Sequence, residues 1–140
     1  MLIGINPLLT GNFLALLDQM GHGDRIVIAD ANFPAHSLNA HVVALPGVAV
    51  VDALEAVLSV FPSDVVDPTS LMASADGILP IHTELTEAAA QSGPVIVEYL
   101  SRRDFYDHAA LASAVVLTGE LRAYGNIILS KGVVNHVANR

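Results

Sequence analysis

Two short stretches of this chain carry side chains that can move protons or hold hydroxyl groups. In the first, Gly21-His22-Gly23 presents an imidazole between two glycines, and the apolar run that follows ends at Asp30. An imidazole, with an ordinary pKa of roughly 6.5, takes or gives a proton near neutrality. Its glycine neighbours free the backbone and admit other groups closely. Asp30 closes an apolar stretch, where a carboxylate needs compensating hydrogen bonds. In the second stretch, Tyr124-Gly125-Asn126, a phenol and a carboxamide offer donors and acceptors suited to a hydroxyl-bearing ligand. Each has a plainer alternative. His22 could serve only the C-terminal dipole of the helix before it. Asp30 could form an Asx-turn with the backbone of Asn32 or Phe33, and Tyr124–Asn126 could be an ordinary turn into a strand.

Other chemistries find little support. Cysteine is absent, which excludes disulfides, thiolate metal sites and cysteine nucleophiles. His22, His36, His41, His82, His108 and His136 include no i, i+4 helical pair of the zincin kind, so no metal and no cofactor are expected. There is no Gly-x-Ser-x-Gly elbow and no phosphate-binding glycine loop. Arg102-Arg103 reads as a solvated doublet before a helix. Asp24 competes with Asp30 as a partner for His22, but it opens a strand and reads as a solvated or capping residue.

The composition bounds the setting. Six Lys and Arg against 14 Asp and Glu give a formal charge of −8, with no basic cluster to bind nucleic acid or an anionic membrane surface. The chain is 53% apolar and 14% charged, whereas soluble domains carry about 25% charged residues. A 140-residue monomer would struggle to hide that much apolar surface, so a homo-oligomer is expected. No apolar run approaches the roughly 18 residues of a membrane span. Met-Leu-Ile-Gly-Ile-Asn-Pro does not read as a signal peptide, which points to the cytoplasm.

The elements that must position these residues alternate. Thr10 caps a helix carrying Phe13, Leu14, Leu16, Leu17 and Met20, with Gly21 at its end. Strands are expected over Arg25–Ala29, Ala40–Leu45, Ser70–Ser74, Val95–Leu100, Ser113–Leu117 and Asn126–Ser130. Asp52 is expected to cap a second helix through Phe61, ended by Pro62. Further helices are expected over Pro80–Gln91 and Asp104–Ala112. The alternation predicts one α/β domain over residues 1–140, a mainly parallel sheet flanked by helices. In such sheets ligands gather beyond the carboxyl ends of strands, where Asp30 and Thr118–Glu120 fall.

Three blocks, Met20-Gly-His-Gly-Asp24, Ile28-Ala-Asp-Ala-Asn-Phe-Pro-Ala-His-Ser37 and Thr118-Gly-Glu through Tyr124-Gly-Asn-Ile-Ile-Leu-Ser-Lys-Gly-Val133, together with the N-terminal Met-Leu-Ile-Gly-Ile-Asn-Pro-Leu-Leu, resemble the RbsD/FucU family of bacterial fucose mutarotases and ribose pyranases. The resemblance spans nearly the whole chain, with a generic middle from about Val48 to Pro94. It implies interconversion of the α and β anomers of a reducing monosaccharide, L-fucose first, by acid–base ring opening and closure. It also implies an acid–base role for His22, sugar binding by Asp30, Arg102, Tyr124, Gly125 and Asn126, and further contacts from His36 and Tyr106. Arginine at 102 and the Phe-Pro-Ala-His-Ser run resemble the fucose branch; the ribose enzymes tend to have histidine at the first. Homo-oligomers from dimer to decamer, with sites at subunit contacts, are implied as well. Ribose pyranase activity and a non-catalytic sugar-binding protein linked to uptake are the alternatives.

Overall fold

The computed structural model describes residues 1–135, and His136 lies outside them. Helix α1 (Gly11–Gln19) starts where the Thr10 hydroxyl accepts from the Phe13 N–H, and it buries Phe13 and Leu17. Strand β1 (Arg25–Ala29) follows, then a single-turn helix α2 (Ala35–Leu38), β2 (Val42–Leu45) and α3 (Val50–Leu58). The chain continues through β3 (Thr69–Met72), α4 (Pro80–Ala90), β4 (Val97–Leu100), α5 (Arg102–Leu111), β5 (Ala114–Thr118) and β6 (Ile127–Ser130).

The six strands form one sheet in the order β2-β5-β1-β6-β3-β4. Strand β5 runs parallel to β1 and β2, and β3 parallel to β4. Strand β6 alone is reversed, antiparallel to both β1 and β3. Alternation along β1 splits the core in two. Ile26 and Ile28 pack on one face with residues of α1, α3 and α4. Val27 and Ala29 pack on the other with Phe33, Ala35, Phe105 and Ala109 of the α2 and α5 side. The sheet is therefore covered on both faces, as the nearly unbroken apolar strands require. No helix among the described residues is long and apolar enough to cross a membrane.

Several boundaries differ from expectation. Ala49, not Asp52, is the N-cap of α3, and Asp52 lies in the first turn, where a carboxylate favours the helix dipole. That helix stops at Leu58, short of Phe61. Ser101 caps α5 by accepting from the Asp104 N–H, so Arg102 opens the helix instead of preceding it. Gly21 is not the left-handed glycine after α1. Gly23 takes that conformation at φ +86°, and the end of α1 is closed by the Lys131 ammonium, 2.7 Å from the Leu17 carbonyl oxygen.

Candidate active site

With β6 reversed, its first residues share an edge of the sheet with the carboxyl ends of the other five strands. Asp30 sits there, just past β1 and only 6% exposed. Its Oδ1 accepts from the Asn32 N–H at 2.9 Å, the Asx-turn allowed for above. Its Oδ2 accepts from Asn126 Nδ2 at 3.0 Å, while the Asp30 N–H donates to Asn126 Oδ1 at 2.8 Å. This reciprocal pair, 96 residues apart, fixes which way the Asn126 amide faces. Burial pushes the Asp30 carboxyl above its usual 3.8; bonds from Asn32, Asn126 and Phe33 oppose the rise, and the nearby Glu120 charge adds to it.

The surrounding wall is apolar and aromatic. Phe33 meets Tyr106 edge-on at 5.4 Å and Phe105 at 5.8 Å, and Tyr124 packs into the same cluster. Behind it, the Thr118 hydroxyl donates to the Ala29 carbonyl at 2.7 Å, and the Ala31 N–H donates to the Glu120 carbonyl at 2.9 Å. Arg102, opening α5 after β4, and His36, on α2, are both exposed at this edge. Neither is hydrogen-bonded to Asp30.

His22 lies at the opposite edge, before β1 begins. The end of β6 is clasped there from two sides. The Gly23 N–H donates to the Lys131 carbonyl at 2.8 Å, and the Lys131 N–H donates to the Asp24 carbonyl at 2.8 Å. On the other flank, the Asp64 N–H donates to the Ser130 carbonyl at 2.9 Å and the Gly132 N–H to the Pro62 carbonyl at 2.7 Å. Only glycine fits at 132, because a Cβ would stand 2.8 Å from the Ser63 carbonyl oxygen. The two segments thereby bring His22 Nε2 within 2.9 Å of Asp64 Oδ2. Asp64 Oδ1 also accepts from the Val66 and Asp67 N–H groups at 2.7 and 3.0 Å. Those backbone donors, and then His22, hold the Asp64 carboxyl below its usual range, so it remains an anion. The imidazole is 64% exposed and Asp64 only 9%, at an open cleft also lined by Gly23, Val66 and Asp67.

A β1 of five residues at about 3.3 Å each separates the two edges by roughly 16 Å. A single chain therefore does not bring Asp30 to His22 as its companion. Asp30 belongs instead with Tyr124–Asn126, and His22 stands with Asp64, a partner no sequence spacing announces. Asp24 accepts from the Gly21 N–H at 2.8 Å and so closes the histidine loop. Of the other histidines, His82 is fully buried, its Nε2 donating to the Met72 carbonyl and its Nδ1 accepting from the Leu79 N–H. His108 Nδ1 lies 2.7 Å from the Asp104 carbonyl oxygen. No three His, Asp or Glu side chains placed to hold a metal ion come together among the described residues.

Residues 3–134 match the family described as the RbsD/FucU transport protein family. A curated relative, the L-fucose mutarotase of Glaesserella parasuis, is 44% identical over 95% of this chain and 96% of its own length. Among solved structures, the fucose mutarotase of Streptococcus pneumoniae in complex with L-fucose has a TM-score of 0.89 at 36% identity, covering 96% of this chain and 100% of that one. The Bacillus subtilis RbsD complexed with D-ribose is more distant, with a TM-score of 0.75 at 26% identity over 96% of this chain and 100% of that one.

Proposed function

The chain belongs to the RbsD/FucU family, and on that premise we propose that it is a mutarotase exchanging the α and β anomers of L-fucose. The observation that carries the reading is the pair of half-sites. One edge offers a desolvated carboxylate locked to Asn126, with Tyr124 in the adjoining aromatic cluster and Arg102 exposed at the same edge, groups suited to sugar hydroxyls. The other offers an exposed imidazole backed by an anionic Asp64. Because Asp64 accepts at Nε2, that nitrogen carries hydrogen and Nδ1 keeps its lone pair for the substrate.

Ring opening moves one proton from the anomeric hydroxyl to the ring oxygen. His22 Nδ1 takes the proton from O1 as the bond from C1 to the ring oxygen breaks, and the resulting imidazolium returns it to the ring oxygen. The aldehyde then rotates about the bond from C1 to C2, and the same transfers in reverse close the ring on the other face. Nothing is oxidised, and no covalent nucleophile is needed. Asp30, Arg102, Tyr124, Gly125 and Asn126 hold the hydroxyls so that the anomeric carbon faces His22, with Tyr106 in the wall and His36 at the rim.

If both half-sites act on one sugar, the separation of the edges supports a working form in which His22 of one copy reaches the Asp30 edge of another, a homo-oligomer with each site at a subunit contact. Both edges carry apolar residues that a contact would cover. Val65 and Val66 flank the Asp64 side and are 64% and 75% exposed, and Leu121, near Tyr124, is 84% exposed. Exchange of D-ribose ring forms uses the same opening, and the lesser likeness to the ribose-bound relative makes it the second reading.

Saturation-transfer NMR between the L-fucose anomers tests this directly. The His22→Ala variant should lose about 10²- to 10⁴-fold of the protein-dependent exchange rate. Exchange at the wild-type rate would remove His22 from the reaction. Running D-ribose on the same preparation separates the two sugars.

A further inference from the structure

The loop that delivers Tyr124, Gly125 and Asn126 is built around a feature the proposed reaction leaves unused. Among the described residues, Tyr124 is the sole non-glycine in the left-handed region, at φ +65°. A bulky side chain holds that conformation only where its surroundings leave no alternative. Glu120 supplies the constraint. It is 8% exposed, and its carboxylate is gripped by a single arginine. Arg122 Nη2 donates to Oε1 at 3.0 Å, and Arg122 Nε and its backbone N–H both donate to Oε2 at 3.3 Å. The remaining arm, Nη1, pairs with Glu84 on α4. This grip presses the Glu120 stem under Gly125. A Cβ added there would lie 3.2 Å from Glu120 Cγ, 3.3 Å from the Arg122 carbonyl oxygen and 3.3 Å from Ile81 Cγ1. Gly125 thus has a floor made by Glu120, a wall made by Arg122 and a backstop on α4. Its neighbours are fixed by consequence, Tyr124 on one side and Asn126, locked to Asp30, on the other.

We propose that Glu120, clamped by Arg122, is the positioning residue of the sugar-holding half-site, setting the backbone of Tyr124–Asn126 and hence the Asn126–Asp30 lock. The inference rests on the mutarotase reading for its activity readout and on the geometry alone for its structural one. Glu120 and Arg122 do not meet the sugar; they act through Gly125. Since His22 and Asp64 stand on the other edge, loosening the clamp weakens sugar binding and leaves the proton-transfer groups intact.

The test uses Arg122→Met, which removes the fork but keeps an apolar stem, with Glu120→Gln as a second variant should the first fail to fold. Two quantities are read on the assembled protein: hydrogen exchange of the Asp30 amide, which donates to Asn126, and the KM and kcat of L-fucose anomer exchange. Loss of the clamp should speed Asp30 amide exchange about tenfold or more, and raise KM about tenfold with kcat within about twofold. Arg122→Lys should restore less than half of the loss, since an ammonium cannot grip both carboxylate oxygens. Glu84→Gln, which trims only the exposed arm, should change KM less than about twofold. Unchanged Asp30 exchange in a folded Arg122→Met protein overturns the clamp, and so does a fall in kcat at constant KM. If the wild-type protein does not speed anomer exchange, the mutarotase reading fails, and the amide measurement alone decides the clamp.

Discussion

The two edges of the sheet are built in opposite ways, one around a buried side-chain lock and the other around backbone pairs that clasp the end of β6. At the carboxyl edge, Asp30 is buried, reciprocally bonded to Asn126 and backed by aromatic rings. That edge is rigid and desolvated, which suits groups that must hold a ligand in one pose. At the amino edge, His22 is mostly exposed and touches one carboxylate. It is held by its loop instead of by packing, which suits the proposed role of a group that exchanges protons with a substrate presented to it from outside. On the proposed reading, binding is built into the core and acid–base chemistry is hung on its surface. A mutarotase can divide the work this way because its chemical step asks for one proton shuttle, while selecting one sugar asks for many fixed contacts.

The sharpest way to break that comparison is complementation. His22→Ala removes one half-site and Asp30→Asn the other, so each protein alone should be inactive. Co-refolded in equal amounts, they should recover about a quarter of wild-type exchange, the fraction of sites drawing an intact half from each of two different chains. Recovery should be nil if both halves come from one chain. NMR exchange on the separate and mixed proteins gives the answer.

A smaller effect is expected at Asp64. Asp64→Asn keeps the shape but replaces an anionic acceptor with an amide, which loses the tautomer control and the support for the imidazolium. Because His22 is exposed, water substitutes in part, and kcat should fall about tenfold with KM nearly unchanged. A loss as large as that of His22→Ala would make Asp64 a full partner in the reaction; no loss would make it a bystander. The contrast with the KM effect expected at Arg122 is the comparison of the two edges restated in kinetics.

Much of the fold and part of the site were legible beforehand. The helical spacing of Phe13 and Leu17, the unbroken apolar run of β1 and the glutamate- and alanine-rich α4 all led to the elements found. The family blocks named Asp30 and Tyr124–Asn126, and the fold brings Asp30 and Asn126 together at one edge. What stayed hidden was the direction of β6. The connection across residues 119–126 holds no helix and is short of the dozen or more residues a parallel crossover needs, so the reversal was available as a signal. Read as part of a mainly parallel sheet, β6 would carry Asn126 and Lys131 to the wrong edges. Reversed, it puts Asn126 on Asp30 and clasps His22 to Asp64. Helix α2, four residues long, was too short to show a period, and the Lys131 cap of α1 bridges 114 residues, beyond any local pattern.

That cap supports a prediction about stability. Lys131 Nζ meets the carbonyls of Leu17 and Met20, which α1 leaves unpaired at its end. Lys131→Met keeps the stem and removes the charge, and should destabilise the fold by about 1–2 kcal/mol. Urea unfolding measures it. Anomer exchange should fall by less than about threefold, since backbone pairing still holds the His22 loop. A wild-type midpoint would show that water satisfies those carbonyls equally well.

The finest distinction between the edges is their response to acid. The Asp30 carboxyl is raised by burial, so the folded protein holds its proton to higher pH than the unfolded chain does. Stability from this group is therefore greatest below about pH 3.8 and declines as pH rises through the raised value. Asp64 and Glu120 are lowered, by backbone N–H groups and by Arg122 respectively, and act in the opposite sense. Their contributions are present above the ordinary carboxylate range and are lost as pH falls through the lowered values. Asp30→Asn isolates the first effect. Its amide does not titrate, so any change in its bond to Asn126 shifts stability by the same amount at every pH. The unfolding free energy of the wild type minus that of the variant should then fall as pH is raised from about 3 to 6, whatever its absolute size. Asp64→Asn should give the opposite slope. A flat difference for Asp30→Asn would mean that Asp30 is no less solvated than an exposed carboxylate, and the contrast between a desolvated binding edge and an exposed proton-transfer edge would fail at its central residue.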